Sequence, residues 1–387
     1  MTSRLFFLGR TPELSIAELS SFVPSVISIS PDIVQIDAPF MGNGKECSDI
    51  ESIELLGGVV KIAEIVDRTA TLDPIRLIRH FDSAKNKIAF AISGYGVDAK
   101  TITSLDQEIK TLFTSSHISS RFLLPHDKSV VSSVAIVKEH VEELVIVKDK
   151  AGFIIGKTTA IQPFEQWNER DYHRPFADPK AGMLPPKIAR MAVNIGLGSD
   201  SGGKTLVDPF CGMGTICAEA AIRGVNAIGC DIDKETVEKA KKNMSWLLAR
   251  YKLTSSVRIF QADATHIDEH VDTNTIDTIV TEPLLGPTRL GEEKVHDVRE
   301  IQNIMKGLEK LYIGCFRAWT HILKNNGTVV IALPSFVVDK TVYSVKKVVD
   351  TCETLGYTKV LGPITYGRPQ AVVQRNFYLF KRMYGTR

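Results

Sequence analysis

Lys204-Thr-Leu-Val-Asp208-Pro-Phe-Cys-Gly212-Met-Gly214 reads as an apolar strand that must turn into a helix within a few residues. Leu206 and Val207 suit a buried strand, and an apolar helical pattern over 215–223 follows at once. So abrupt a turn needs residues that tolerate unusual backbone angles, and Gly212 and Gly214 supply them. The same glycines let backbone amides at the helix N-terminus come close to a ligand. Asp208, at the carboxyl end of the strand, aims a carboxylate into that crevice. A carboxylate suits a cationic ligand head and would repel a pyrophosphate. A dinucleotide fingerprint would also want a third glycine at position 217, where Cys217 stands. Asp208, Phe210, Cys211, Gly212 and Gly214 are the first candidate ligand-binding residues.

From Thr205 onward, short β-rich runs alternate with helical patterns. The runs lie at 206–207, 227–230, 276–280 and 329–333, and the helices over 215–223, 235–248 and 302–323. This alternation predicts a doubly wound α/β fold with a mostly parallel sheet. Asp231 ends the second strand, where an acid commonly accepts hydrogen bonds from ribose hydroxyls, and Ile232 follows it. Asp233 reads as the cap of the next helix. Asp263 and Ala264 end the third strand, at the position expected to meet an adenine edge. The Asp-x-Phe-x-Gly-x-Gly pattern, followed by acids on two successive strand ends, resembles motif I and its sequel in Rossmann-like class I methyltransferases. That resemblance implies S-adenosylmethionine as cofactor, with Asp208 at its amino-acid end, Asp231 at its ribose and Asp263 at its adenine.

The N-terminal part reads as small α and β units. Expected strands lie over 4–8, within 26–36, and over 59–66, 87–93, 142–147 and 152–162, with helices from Pro12 and over 49–56, 74–81 and 104–113. Residues 163–186 hold five prolines, which forbid a long helix or a central strand and predict a surface linker. A short helix over 187–195 should follow, closed by Gly196 and Gly198.

The fourth strand ends in Thr281-Glu282-Pro283-Leu284-Leu285-Gly286-Pro287. Here amino-methyltransferases place an acid or amide, prolines and an aromatic. The acid and a backbone carbonyl accept the N–H bonds of an exocyclic base amine and turn its lone pair toward the methyl group. The aromatic stacks on the extruded base.

Four stretches together resemble the THUMP-containing tRNA guanine-N2 methyltransferases that act on guanosine 10. They are residues 6–19, the linker over 170–190, the glycine turn and the Glu282 segment. The resemblance implies an N-terminal ferredoxin-like domain over 1–68, a THUMP RNA-binding domain over 69–162, a linker over 163–186 and the methyltransferase domain over 187–387. It implies tRNA as substrate, with Glu282, Pro283 and Leu285 at the catalytic positions. Glu282 is one methylene longer than the family's Asp, and Leu285 cannot stack as an aromatic would. Phe210, Tyr172 and Phe176 are the candidates for sandwiching the base instead. Arg174, Lys187, Arg190 and Arg368 are candidate RNA contacts, with a solvated surface the other reading of each; Arg375 reads as a sheet-edge charge. Some relatives of that family use a small zinc-binding activator subunit, and the sequence leaves this open. Two alternatives stand beside this reading: an inert RNA-binding homologue, and a methyltransferase for DNA or protein.

Composition adds bounds. Hydrophobic residues are 44% and charged residues 24%, as in ordinary folded domains, and a net charge of +2 names no partner. No apolar run approaches the roughly 20 residues that cross a bilayer. The first residues are too short an apolar stretch for a secretory signal, so a cytoplasmic location is expected. Six cysteines stand without a Cys-x-x-Cys pair, so no metal site is expected and the thiols read as packing residues.

Overall fold

The computed structural model describes residues 3–82, 84–125, 129–177, 183–286, 298–338, 341–367 and 372–383. The chain forms two compact units, one of residues 1–41 and 45–164, the other of residues 42–44 and 165–387.

The first unit begins with β1 (Arg4–Leu8), α1 (Pro12–Ser20), β2 (Ile27–Ser30) and β3 (Ile33–Ile36). A two-stranded hairpin, β4 (Met41–Gly42) and β5 (Lys45–Glu46), leads to α2 (Asp49–Leu55) and β6 (Val59–Thr69). Helix α2 starts at a capping box, in which Ser48 and Glu51 each take the other's backbone N–H. Next come α3 (Pro74–Leu77), β7 (Lys87–Tyr95), α4 (Ala99–Ser115), β8 (Ser119–Phe122), α5 (Ser133–Lys138), β9 (Glu142–Lys148) and β10 (Phe153–Ile161). All but the hairpin strands join one sheet of order β2-β3-β1-β6-β10-β9-β7-β8. Strands β6 and β10 pair antiparallel at its middle, so the segments over 1–68 and 69–162 share a sheet, and Leu5, Phe7 and Ala63 of the first share a hydrophobic cluster with Val145, Val147 and Ile154 of the second.

The second unit opens with α6 (Phe164–Tyr172) and α7 (Pro186–Leu197). The expectation of a bare surface linker is corrected here. The prolines after 172 left room for a nine-residue helix before them, and Trp167 and Arg170 on that helix are buried. Helix α7 also runs through Gly196 and ends at Gly198, whose φ is +73°. A Cβ on Gly196 would stand 2.6 Å from the Thr278 hydroxyl, so the glycine serves close packing on the sheet rather than a helix stop.

Then follow β11 (Thr205–Asp208), α8 (Thr215–Ile222), β12 (Asn226–Asp231), α9 (Lys234–Tyr251), β13 (Val257–Gln261), β14 (Ile276–Thr281) and α10 (Val298–Ile322). The chain closes with β15 (Leu323–Val338), β16 (Thr341–Ser344), α11 (Lys346–Thr354), β17 (Tyr357–Tyr366) and β18 (Val373–Arg382). The sheet order is β13-β12-β11-β14-β15-β18-β17, with β16 hairpinned onto the end of β15. Strands β11 to β15 pair parallel, whereas β18 inserts antiparallel between β15 and β17. Strand order reverses between β11 and β14, so a crevice opens at their carboxyl ends, the usual ligand position in such sheets. Under the sheet, Tyr312, Phe316 and Trp319 of α10 bury an apolar stripe against Ile279, Val329 and Ile331. None of the described helices is long and apolar enough to cross a membrane.

Candidate active site

The glycine turn has the conformation its sequence demands. Gly212 and Gly214 carry φ of +49° and +85°, a region in which only glycine is unstrained. Nothing lies within 4 Å of where a Cβ on Gly212 would stand, so the backbone there faces open space. Gly214 caps α8, whose unsatisfied N–H groups point toward the turn.

Three acids surround the turn in different states. Asp208 is 1% exposed, and its Oδ1 accepts the Thr281 hydroxyl at 2.7 Å and the Phe210 N–H at 3.2 Å. Burial, with Asp231 and Glu282 nearby, pushes its carboxyl up to about 7 against those two hydrogen bonds. Asp231 accepts the Gly212 N–H at 3.1 Å and the Asp233 N–H at 3.0 Å, tying the end of β12 to the turn. Asp263 caps the short helix after β13 and accepts the Thr265 N–H and hydroxyl, which hold its carboxyl below the usual range. The side chain of Asp263 remains 47% exposed. Ile232 is 69% exposed, an apolar surface beside Asp231, whereas Cys211 and Ala264 are buried and pack inward. Phe210 lies half-buried against the core beneath the sheet.

Glu282 follows β14 directly, one residue after the Thr281 that holds Asp208. Its side chain is 14% exposed and pairs with the guanidinium of Arg375, on β18. Burial pushes the Glu282 carboxyl up and Arg375 draws it back. Pro283 is buried, Leu284 is 57% exposed, and the Leu284 carbonyl accepts the Tyr312 hydroxyl. Leu285 is half-buried. The sheet-edge reading of Arg375 is thus corrected: β18 is an inner strand, and its Arg375 meets the acid at the crevice.

The linker candidates fare differently. Arg190 is 1% exposed and forms an ion pair with Glu219 of α8 at 2.7 Å; Arg170 pairs with the same carboxylate at 3.2 Å and lies 3.8 Å from the Trp167 ring centroid. Arg190 therefore cannot contact RNA phosphate in this state; it anchors α7 to α8. Arg174 has a side chain 8% exposed and donates to the Thr215 hydroxyl at 3.0 Å, so it braces the first turn of α8. Lys187 is half-buried with its ammonium over Trp167. Arg368 lies outside the described residues.

Asn243 and Glu219 went unnoticed in the sequence. Asn243 of α9 takes the Phe176 N–H at 2.9 Å and donates to the Phe176 and Met213 carbonyls, both at 3.0 Å. It stitches the linker to the glycine turn. A carboxylate inside the apolar pattern Ile216, Cys217, Ala220 and Ala221 was the available sign that Glu219 is buried and paired. Five of the six cysteines are buried and Cys47 is half-buried.

Comparison with known proteins agrees with this architecture. The RMKL-like methyltransferase domain family matches residues 172–353, and a DNA methylase family matches residues 85–242. The chain is 37% identical to the tRNA (guanine(10)-N2)-dimethyltransferase of Methanothermobacter thermautotrophicus, over 37% of this chain and 38% of that protein. It is 29% identical to the enzyme of the same name from Pyrococcus abyssi, over 54% of this chain and 52% of that protein. The match thus spans about half the length of these relatives or less. It reaches 68% of the "Probable tRNA (guanine(10)-N2)-dimethyltransferase" of Methanothermococcus thermolithotrophicus, at 30% identity over 29% of this chain. The crystal structure of TrmN from Thermus thermophilus shares the fold with a TM-score of 0.53 at 15% identity, covering 99% of this chain and all of that one. With the glycine turn, the acids at successive strand ends and these relatives together, the chain belongs to the tRNA (guanine-N2) methyltransferase family of Rossmann-like, S-adenosylmethionine-dependent methyltransferases.

Proposed function

We propose that this chain is a cytoplasmic enzyme that transfers methyl from S-adenosylmethionine to the exocyclic N2 of guanosine 10 in tRNA. The observation that carries the reading is the hydrogen bond from Thr281 to Asp208, which holds Glu282 beside the glycine turn. The residues suit the cofactor. The turn leaves open space at Gly212, Asp231 keeps acceptor capacity beyond its two backbone donors, and Ile232 offers an apolar face. We assign Gly212, Gly214 and Asp208 to the amino-acid end of the cofactor, Asp208 acting through its charge and its grip on the turn. Asp231 takes the ribose; Ile232 and Asp263 take the adenine. When bound, the cofactor supplies a methyl group made electrophilic by its sulfonium.

The acceptor side rests on Glu282. A guanine N2 lone pair is delocalised into the ring, so nucleophilic attack needs the amine held and rotated. Glu282 accepts one amine N–H and the Pro283 carbonyl the other, which concentrates the lone pair toward the methyl group. Burial of Glu282 strengthens that hydrogen bond and makes it a competent acceptor for the amine proton. Residues 1–164 are assigned to tRNA binding, as a ferredoxin-like segment over 1–68 and a THUMP segment over 69–162. Support comes from the names of the relatives and from the sequence resemblance.

The test is mass spectrometry of nucleosides from tRNA incubated with enzyme and cofactor, with duplex DNA as a second acceptor. N2-methyl- or N2,N2-dimethylguanosine from tRNA is expected. Methylated DNA with unmodified tRNA would replace this substrate by the other.

A further inference from the structure

Leu285 stands where an aromatic residue would cover the target base, and another part of the fold is placed to supply that surface. Strands β17 and β18 pair antiparallel with Tyr366 opposite Arg375. The Arg375 guanidinium lies 5.9 Å from the Tyr366 ring centroid and pairs with Glu282. One cation therefore pairs with the acid at the end of β14 and lies near an aromatic ring three strands farther along the sheet. The ring is half-buried, and it stands at the carboxyl end of β17, a strand that runs in the same direction as β14.

The other aromatic candidates sit on other elements. Asn243 fixes the Phe176 backbone on the helical side of the glycine turn, with Lys242 over its ring. Phe210 packs on the core cluster beneath the sheet. Tyr172 is 76% exposed on α6, a helix tied to α9 through Glu169 and Arg250.

We propose that Tyr366 is the base-stacking residue of this enzyme and that Arg375 positions it together with Glu282. The proposal rests on the assignment of Glu282 to the target amine. A ring provided from β17 rather than from the loop after β14 frees the Leu285 position to be aliphatic. It also rationalises the longer acid, because Glu282 must reach both Arg375 and the substrate amine. Arg375 meets each group by a different face of its chemistry: its N–H donors hold the carboxylate, and its flat cation lies near the ring.

The test compares Tyr366→Ala and Tyr366→Phe with the wild type in steady-state methyl transfer to a tRNA transcript, alongside calorimetric binding of S-adenosylmethionine. Base–aromatic stacking corresponds to roughly a tenfold to hundredfold change. Tyr366→Ala is expected to lower kcat/KM by about that factor, Tyr366→Phe to stay within about threefold of wild type, and cofactor affinity to hold in both. Wild-type turnover by Tyr366→Ala, equal impairment of the Phe variant, or loss of cofactor binding in the Ala variant would each overturn the stacking role. Absence of any methylguanosine with the wild type is a separate result: it removes the substrate assignment, and the stacking proposal with it.

Discussion

The hydroxyl of Thr281 donates to the carboxylate of Asp208 across 2.7 Å, joining the last residues of β14 and β11. Both residues are almost wholly buried, at 2% and 1% exposure. One hydrogen bond thus sets the acid of the cofactor turn against the strand end that carries Glu282.

Thr281→Val keeps the shape and removes that donor. Hydrogen bonds to charged groups contribute about 1.5–3 kcal/mol, so S-adenosylmethionine affinity should fall roughly tenfold to a hundredfold. Loss of the donor also raises the Asp208 carboxyl further above its value of about 7. The variant should therefore recover part of its affinity on going from pH 7 to pH 9, as Asp208 ionises. Calorimetric titration at both pH values checks this.

Arg375→Gln tests the acid at the crevice. Among the described residues, the charged or titratable groups that face Glu282 are Arg375 on β18, Asp208 on β11 and Tyr312 on α10. Arg375 alone among them favours the ionised form, against burial. Without it Glu282 holds its proton to higher pH, and the acidic limb of kcat/KM should move upward in a pH profile of methyl transfer. Glu282→Gln, which cannot titrate, should lose that limb together with about a hundredfold or more of its rate.

The glycine turn, the alternation of strands and helices, and the acids at three strand ends were legible because each is a local signal: glycines at fixed spacing, period and apolar runs. The role of Arg375 was not, because it depends on β18 entering antiparallel between β15 and β17, a long-range pairing that residues 372–380 alone do not encode. Arg190 misled for a related reason. An arginine after Lys187 looks like a solvated helix face until Glu219, 29 positions away on α8, is seen to neutralise it. Helix α6 is masked by the five prolines of residues 163–186, although the first ten of these residues hold only Pro163. The missing aromatic at Leu285 was visible; the pairing of Tyr366 opposite Arg375 needed the sheet order.

Glu219→Ala should destabilise the second unit, because it leaves Arg170 and Arg190 buried without their shared anion. Removing one partner of a buried ion pair typically costs about 3–5 kcal/mol. Tryptophan fluorescence during urea unfolding reports this directly, since Trp167, Trp246 and Trp319 all lie in that unit. A midpoint unchanged from wild type would show that the cluster is energetically neutral.

Asp106, wholly buried on α4 of the first unit, has its carboxyl pushed up to about 8 by burial. The native state then binds a proton that the unfolded chain releases near 4. Stability from this group is full below that value and falls as pH rises toward 8, by at most about 1.4 kcal/mol per pH unit. Asp106→Asn keeps the size without the charge and should flatten the decline between pH 5 and pH 8. Thermal melts of both proteins at the two pH values measure it.

The most direct test of the account replaces the single target atom. A tRNA carrying inosine at position 10 keeps the ribose, the phosphates and the purine ring but lacks the exocyclic N2. With S-adenosylmethionine bearing a labelled methyl group, transfer to the guanosine-10 tRNA is expected and transfer to the inosine-10 tRNA is not. Equal label in the two would place the accepting atom elsewhere and contradict the assignment of Glu282 to the guanine amine.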